Sequence, residues 1–172
     1  MPLTRLVSTQ LDRVTPQREP LIDELMKYAH ADLLCYRAAH PADLKARHDA
    51  MWQPVLDWLA GSHGVSLTCV HGLMPHSQPP ASVSALRAVI SALPDAPLTA
   101  LQATAAITNS LALALALTHG RLSAAEVFAA ASLDETYQIE QWGEDTLATD
   151  RRRAIATDLN AIGEYLRLLR LN

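Results

Sequence analysis

Residues 98–119 read LTALQATAAITNSLALALALTH, a stretch that is apolar almost throughout. About 20 consecutive apolar residues are needed to span a membrane. Polar residues at 99, 102, 104 and 108–110 interrupt this stretch, and the uninterrupted part, residues 111–117, is far too short for a span. A helix that is apolar on all sides is buried in a protein core. Residues 98–119 therefore predict the central, fully buried helix of a bundle.

The residues after this stretch carry clear helix end and start signals. Gly120 is well placed as a left-handed C-terminal cap, and Ser123 with Glu126 forms a capping-box pattern that starts the next helix. We expect that helix to run to about Gly143. Residues 150–171 predict a last helix with one apolar face, in which Gly163 permits a close helix crossing.

The first half of the chain also shows helical spacing. Pro20 and Pro41 are each placed to open a helix, and Pro54 is expected to break or kink the second one. Residues 65–69 alternate weakly and predict one short strand, which cannot form a sheet alone. Apolar residues at helical spacing over 83–93 predict a further helix, ended by prolines at 94 and 97.

Composition supports one mainly α-helical domain with at most one or two short strands. The chain has 172 residues, only 5% of them aromatic and only 6 glycines, while Ala and Leu dominate. We expect residues 1–19 to be an extended N-terminal segment and residues 20–172 to form the bundle. The net charge of −4 leaves no basic surface for nucleic acid, and the cluster at 151–153 follows acidic residues, which is typical of a solvated helix face.

Targeting and cysteine signals are few. The first residues show neither a signal peptide nor a transit segment, which favours the cytoplasm, and no membrane insertion is expected. Cys35 and Cys69 belong to no Cys-x-x-Cys pair, so we expect buried free thiols in a reducing compartment.

Catalytic and metal-binding patterns are weak. His63, His71 and His76 lie in one loop-rich segment, but their spacing is not that of metal ligands. No Gly-x-Ser-x-Gly elbow is present. We therefore expect no enzyme activity, no metal, no cofactor and no small-molecule substrate; a small hydrolase or oxidoreductase that uses this histidine segment remains the alternative.

Residues 133–145, LDETYQIEQWGED, combine five carboxylates with two aromatic rings on what is expected to be one helix. Glu140 and Glu144 are four residues apart and share a face, where like charges are mildly unfavourable without a cationic partner. The stretch predicts either a solvated acidic face or a docking surface for a basic or amide-rich protein. Trp142 is either a core residue or an interface anchor.

Four blocks of sequence together resemble one chaperone family, which assembles the F-type ATP synthase head by holding its alpha subunit. The blocks follow the family's order and cover nearly the whole chain: 28–37 (YAHADLLCYR), 52–58 (WQPVLDW), 108–117 (TNSLALALAL) and 134–145 (DETYQIEQWGED). The family occurs in alphaproteobacteria and in mitochondria, where its eukaryotic members act in the matrix. Because the first residues show no transit segment, a bacterial member is expected.

The resemblance implies that the chain binds the newly made alpha subunit, prevents its aggregation and releases it to beta, without catalysis or a cofactor. It also implies that the family's small N-terminal β-rich domain is absent from this chain. A generic helical adaptor with another partner is the other alternative. The implied partner-binding residues, which fall on the family's signatures, are Asp32, Arg37, Glu135, Gln138, Glu140, Trp142, Glu144 and Asp145. Gly143 also falls on the signature.

Overall fold

A computed structural model describes residues 2–72, 76–143 and 145–170. The fold is mainly α-helical with two short strands, as the sequence predicts. The helices are α1 Pro2–Thr9, α2 Arg18–Ala29, α3 Ala42–His63, α4 Pro80–Ser91, α5 Asp95–Thr108, α6 Leu111–Thr118, α7 Ala124–Ala131, α8 Leu133–Trp142 and α9 Thr146–Leu169. The strands are β1 Tyr36–Arg37 and β2 Val70–His71.

The core surrounds α6, in which every residue from Leu111 to Thr118 is buried. The predicted single helix over 98–119 is wrong, because the chain breaks between α5 and α6. Asn109 adopts a left-handed conformation with φ of 54°, and the Ser110 hydroxyl accepts the N–H of Leu113 at 3.0 Å as the cap of α6. None of the helices in the described residues is long and apolar enough to cross a membrane.

The Asp32 side chain stabilises this break between α5 and α6 through hydrogen bonds. Its fully buried carboxylate accepts the Ser110 hydroxyl at 2.8 Å and the backbone N–H groups of Ala112 and Leu34, each at 3.0 Å. Burial raises the pKa of Asp32, and these hydrogen bonds act against that rise. A carboxylate at a helix N-terminus also interacts favourably with the helix dipole. Asp32 therefore connects the segment after α2 to the start of the central helix.

The prediction that residues 1–19 are extended is wrong. After α1, a short π-helical turn covers Gln10–Val14, and α2 begins at Arg18, two residues before Pro20. Leu6 and Val14 are buried, and the Tyr165 hydroxyl of α9 donates to Gln10 at 2.7 Å. Leu3, Leu6 and Val7 do recur at helical spacing, and these contacts pack the segment against the rest of the bundle.

The strand predicted over 65–69 is displaced. β2 comes directly after it and pairs with β1 in parallel, with Tyr36 opposite Val70. Thr68 instead pairs with a side chain: its N–H donates to the Gln78 side-chain oxygen at 2.7 Å, and the Gln78 amide donates to its carbonyl oxygen at 3.0 Å. The amide of Gln78 thus takes the place of a neighbouring strand.

The helices after α6 follow the predicted signals with one further break. Gly120 has φ of +71°, and the capping box of Ser123 and Glu126 is present. The predicted continuous helix to Gly143 is divided at Ser132 into α7 and α8. The last helix begins at Thr146, earlier than predicted, because Asp145 caps it.

Pro54 in α3 and Gly163 in α9 are each expected from the sequence to affect helix geometry. α3 begins after Pro41 as predicted, but it continues through Pro54 to His63, so the helix is not broken there. A Cβ added to Gly163 would lie 3.3 Å from the Ala124 Cβ of α7. This distance confirms that Gly163 lies at a close crossing of α7 and α9.

A candidate protein-binding surface at α8

The acidic helix α8 is attached to the first half of α3 by polar side chains. The pairs are Asp134 with the His48 Nε2 atom at 2.5 Å, the Tyr137 hydroxyl donating to the two Asp43 carboxylate oxygens at 3.0 Å each, and Glu140 with Arg47 at 2.7 Å. The Arg47 guanidinium also lies over the Tyr137 ring. The face of α8 toward α3 is therefore occupied within the molecule.

His48 fixes the register of this contact. Its Nδ1 accepts the N–H of Ala38 at 3.1 Å, so in the neutral ring Nε2 carries the proton that Asp134 accepts. The ring is buried and stacks on Trp52 with 3.9 Å between centroids, and the Trp52 indole N–H donates to the Ala130 carbonyl of α7 at 2.9 Å. α8 is thus anchored to a rigid part of the core.

The other flank of α8 is paired with α9. Glu135 accepts Arg151 at 2.6 Å and Arg152 at 3.3 Å. Asp145 accepts the N–H of Ala148 at 2.7 Å as the cap of α9. Three of the carboxylates predicted to bind a partner, those of Glu135, Glu140 and Asp145, therefore also have partners inside the chain.

The outward face of α8 carries Gln138 and Trp142, four residues apart. Trp142 is 87% exposed, so the possibility that it belongs to the core is wrong. Gly143 then turns the chain with φ of 85°, and Leu147 at the start of α9 is 83% exposed. Glu144 lies outside the described residues. We call the exposed set Gln138, Trp142, Asp145 and Leu147 the α8–α9 tip.

Sequence reasoning missed Leu147, because a single apolar residue in a polar stretch carries no periodic signal. The only sequence cue was its position directly after the family signature. Isolated exposed apolar residues are common on protein surfaces, but Trp142 and Leu147 are both exposed within five residues, and Trp is enriched at interface anchors.

Asp32 and Arg37 do not lie at the α8–α9 tip, and both are buried. Arg37 donates to the Leu34 carbonyl at 3.1 Å, to Asp49 at 2.9 Å and to Gln53 at 3.0 Å. With Lys45 as the main cause and Arg37 as a lesser one, hydrogen bonding lowers the pKa of Asp49. The prediction that Asp32 and Arg37 contact a partner does not fit these positions, because their polar groups hold the fold together.

The histidine segment does not converge on one site. His63 contacts Trp58 and His119, with ring centroids 5.0 and 4.8 Å away. Burial, and to a lesser extent the charge of His119, lower the pKa of His63. His71 lies on β2 instead. Within residues 2–72, 76–143 and 145–170, no group of three or more His, Cys, Asp or Glu residues could hold a metal ion.

A second surface feature lies where α3, α7 and the start of α8 meet. It is a groove of about 560 Å³ between α3 and α7, lined mainly by apolar side chains that include Met51, Val55, Leu122 and Leu133. Met51 is partly exposed within it. The groove and the α8–α9 tip are both open to a protein partner near this helix.

Comparison with known proteins identifies the family. The sequence model of the family described as ATP12 chaperone protein matches residues 1–60. The chain is 33% identical to Atp12 from Paracoccus denitrificans and 32% identical to a point mutant of that protein; each match covers 98% of this chain and 72% of the other, with a TM-score of 0.93. The Atu1473 protein of Agrobacterium tumefaciens is 36% identical over 98% of this chain and 63% of its own length, with a TM-score of 0.90. The chain therefore belongs to the ATP12 chaperone family, whose members serve ATP synthase assembly.

Proposed function

We propose that this chaperone binds the unassembled alpha subunit of the F-type ATP synthase in the bacterial cytoplasm, without catalysis, and keeps it soluble until beta pairs with it. Membership of the ATP12 family and the resemblance of residues 134–145 to the family signature support this role. We also propose that the helical unit works as one domain.

The α8–α9 tip is the proposed contact surface. The observation that carries this proposal is the joint exposure of Trp142 and Leu147 at one turn, 87% and 83%. Both side chains are in water although the core is well packed, so burying them against a partner would be favourable. Gln138 and Asp145 are exposed on the same tip and would select a basic or amide-bearing surface.

Glu140 illustrates how this surface differs from a simple acidic patch. Its carboxylate is 2.7 Å from Arg47 and about half exposed, so it remains accessible to a second cation. An exposed ion pair contributes only about 0.2–1 kcal/mol to folding. Changing Glu140 to Lys is therefore expected to leave the protein folded while weakening capture of a basic partner surface.

Co-expression with the alpha subunit tests the proposal, with soluble complex as the measure. We expect Trp142→Ala combined with Leu147→Ser to lower captured alpha subunit at least about ten-fold, because each buried anchor of this type typically contributes about 1–2 kcal/mol or more. Leu11→Ser is the matched control, since Leu11 is 62% exposed and lies in the turn after α1. It is expected to leave capture unchanged.

Two results would overturn parts of the proposal separately. Capture that survives the double substitution but is lost in Met51→Ser would place the contact in the groove between α3 and α7. A native chain that leaves the alpha subunit aggregated and uncaptured, although it is folded by circular dichroism, would refute the alpha-subunit role itself.

A further inference from the structure

The two cysteines lie side by side although 33 residues separate them in sequence. Cys35 ends a short 3-10 helix directly before β1 and Cys69 lies directly before β2, so the two cysteines adjoin the parallel pair of Tyr36 and Val70. Neighbouring strands lie about 4.8 Å apart. A disulfide spans Cα separations of about 4.4–6.8 Å, so this spacing suits a crosslink.

The two thiols are neighbours that differ in their surroundings. The Cys69 thiol donates to the carbonyl oxygen of Leu34, the residue before Cys35, at 3.8 Å. Cys35 is buried and Cys69 is only partly buried. The neighbouring Cys35 thiol and, to a lesser extent, the Arg37 charge lower the pKa of Cys69, whereas the neighbouring Cys69 thiol and burial raise the pKa of Cys35. Such asymmetry is typical of an attacking thiol beside a resolving one.

We propose that Cys35 and Cys69 are a redox-sensitive dithiol that a low-molecular-weight disulfide converts to an intramolecular disulfide. The Cys69 thiolate attacks one sulfur of the small disulfide, which forms a mixed disulfide and expels one small thiolate. The Cys35 thiol then gives up its proton to solvent, and its sulfur attacks the Cys69 sulfur and expels the second small thiolate. The protein loses two hydrogens and two electrons, and the small disulfide is reduced to two thiols.

The crosslink would fasten the segment after α2 to the segment after α3. Closing a long loop covalently restricts the unfolded chain, so the oxidised form is expected to be more stable than the reduced form. This inference does not depend on the proposed alpha-subunit role.

The test uses the full chain and oxidised glutathione at neutral pH. We expect both free thiols to disappear without dimer formation, the intact mass to fall by two hydrogens, and a peptide map to show Cys35 joined to Cys69. The melting temperature is expected to rise, and dithiothreitol is expected to reverse every change.

Two matched variants assign the roles of the thiols. In Cys35→Ser, Cys69 is expected to retain one bound glutathione as a stable mixed disulfide, because the resolving thiol is missing. In Cys69→Ser, the buried Cys35 is expected to remain unmodified. Two unreacted thiols in the oxidised native chain, or crosslinks only between chains, would overturn the proposal. Should either variant fail to fold, the thiol count and peptide map of the native chain still decide it.

Discussion

Replacing Asp32 by Ala is the sharpest test of how this bundle is held together. The carboxylate accepts one hydroxyl and two backbone N–H groups in a fully buried position. Without it, the N–H groups of Leu34 and Ala112 lose their acceptor, and each stranded buried donor costs about 1–3 kcal/mol. Loss of the charge at the start of α6 adds to this cost. With two donors stranded, we expect Asp32→Ala to lower the free energy of unfolding by about 3–5 kcal/mol.

Urea denaturation at pH 7, followed by circular dichroism, measures this loss. For a chain of this size about 1 kcal/mol corresponds to about 2–4 °C, so the melting temperature is expected to fall by about 6–20 °C. Asp32→Asn keeps one acceptor oxygen and is expected to lose about half as much. Asp158→Ala, at an exposed position on α9, is the control and is expected to change stability by less than about 0.5 kcal/mol. An Asp32→Ala protein as stable as this control would refute the structural role assigned to the carboxylate.

Three further outcomes are expected. Because the pKa of His63 is lower in the folded chain than in the unfolded chain, the unfolded chain binds more protons at this residue in the pH range between the two values. The stability that this group contributes is therefore lost as pH falls below about 6.5. His119→Gln should raise the pKa of His63 part of the way, as measured by an NMR titration. Asn109→Val should cost about 1–2 kcal/mol in urea denaturation because φ is 54°, whereas Asn109→Gly should be nearly neutral; equal stability of the two would contradict the left-handed assignment. Gly163→Leu should cost about 1–3 kcal/mol, since the new side chain meets Ala124 across the α7–α9 crossing, and an unchanged denaturation midpoint would count against that contact.

The sequence was sufficient for features whose partners lie within a few residues. The capping box at Ser123, the left-handed Gly120 and the helix start after Pro41 depend on backbone hydrogen bonds to the next turn, so local residue types predict them. The apolar run at 111–117 likewise predicts burial, because no other environment suits a helix that is apolar all round.

Helix breaks and short strands could not be predicted in this way. Asn109 and Ser110 read as interruptions of one helix, but Asp32, distant in sequence, holds the break between α5 and α6. The parallel pairing of β1 with β2 and the proximity of Cys35 to Cys69 are equally non-local. Contacts between segments far apart in sequence leave no periodic signal in either one.

At the candidate site, too, the sequence determined local features and the tertiary structure determined the non-local contacts. Residue types alone placed an acidic and aromatic stretch on a helix, because helix spacing determines which side chains share a face. Only the packing of α3 and α9 against α8 decided which of its side chains are used internally: Glu135 and Glu140 pair with arginines of those helices, while Trp142 points into solvent. The reason is that the partner of a charge depends on which helix packs beside it, and that choice is made by burial of apolar surface over the whole chain.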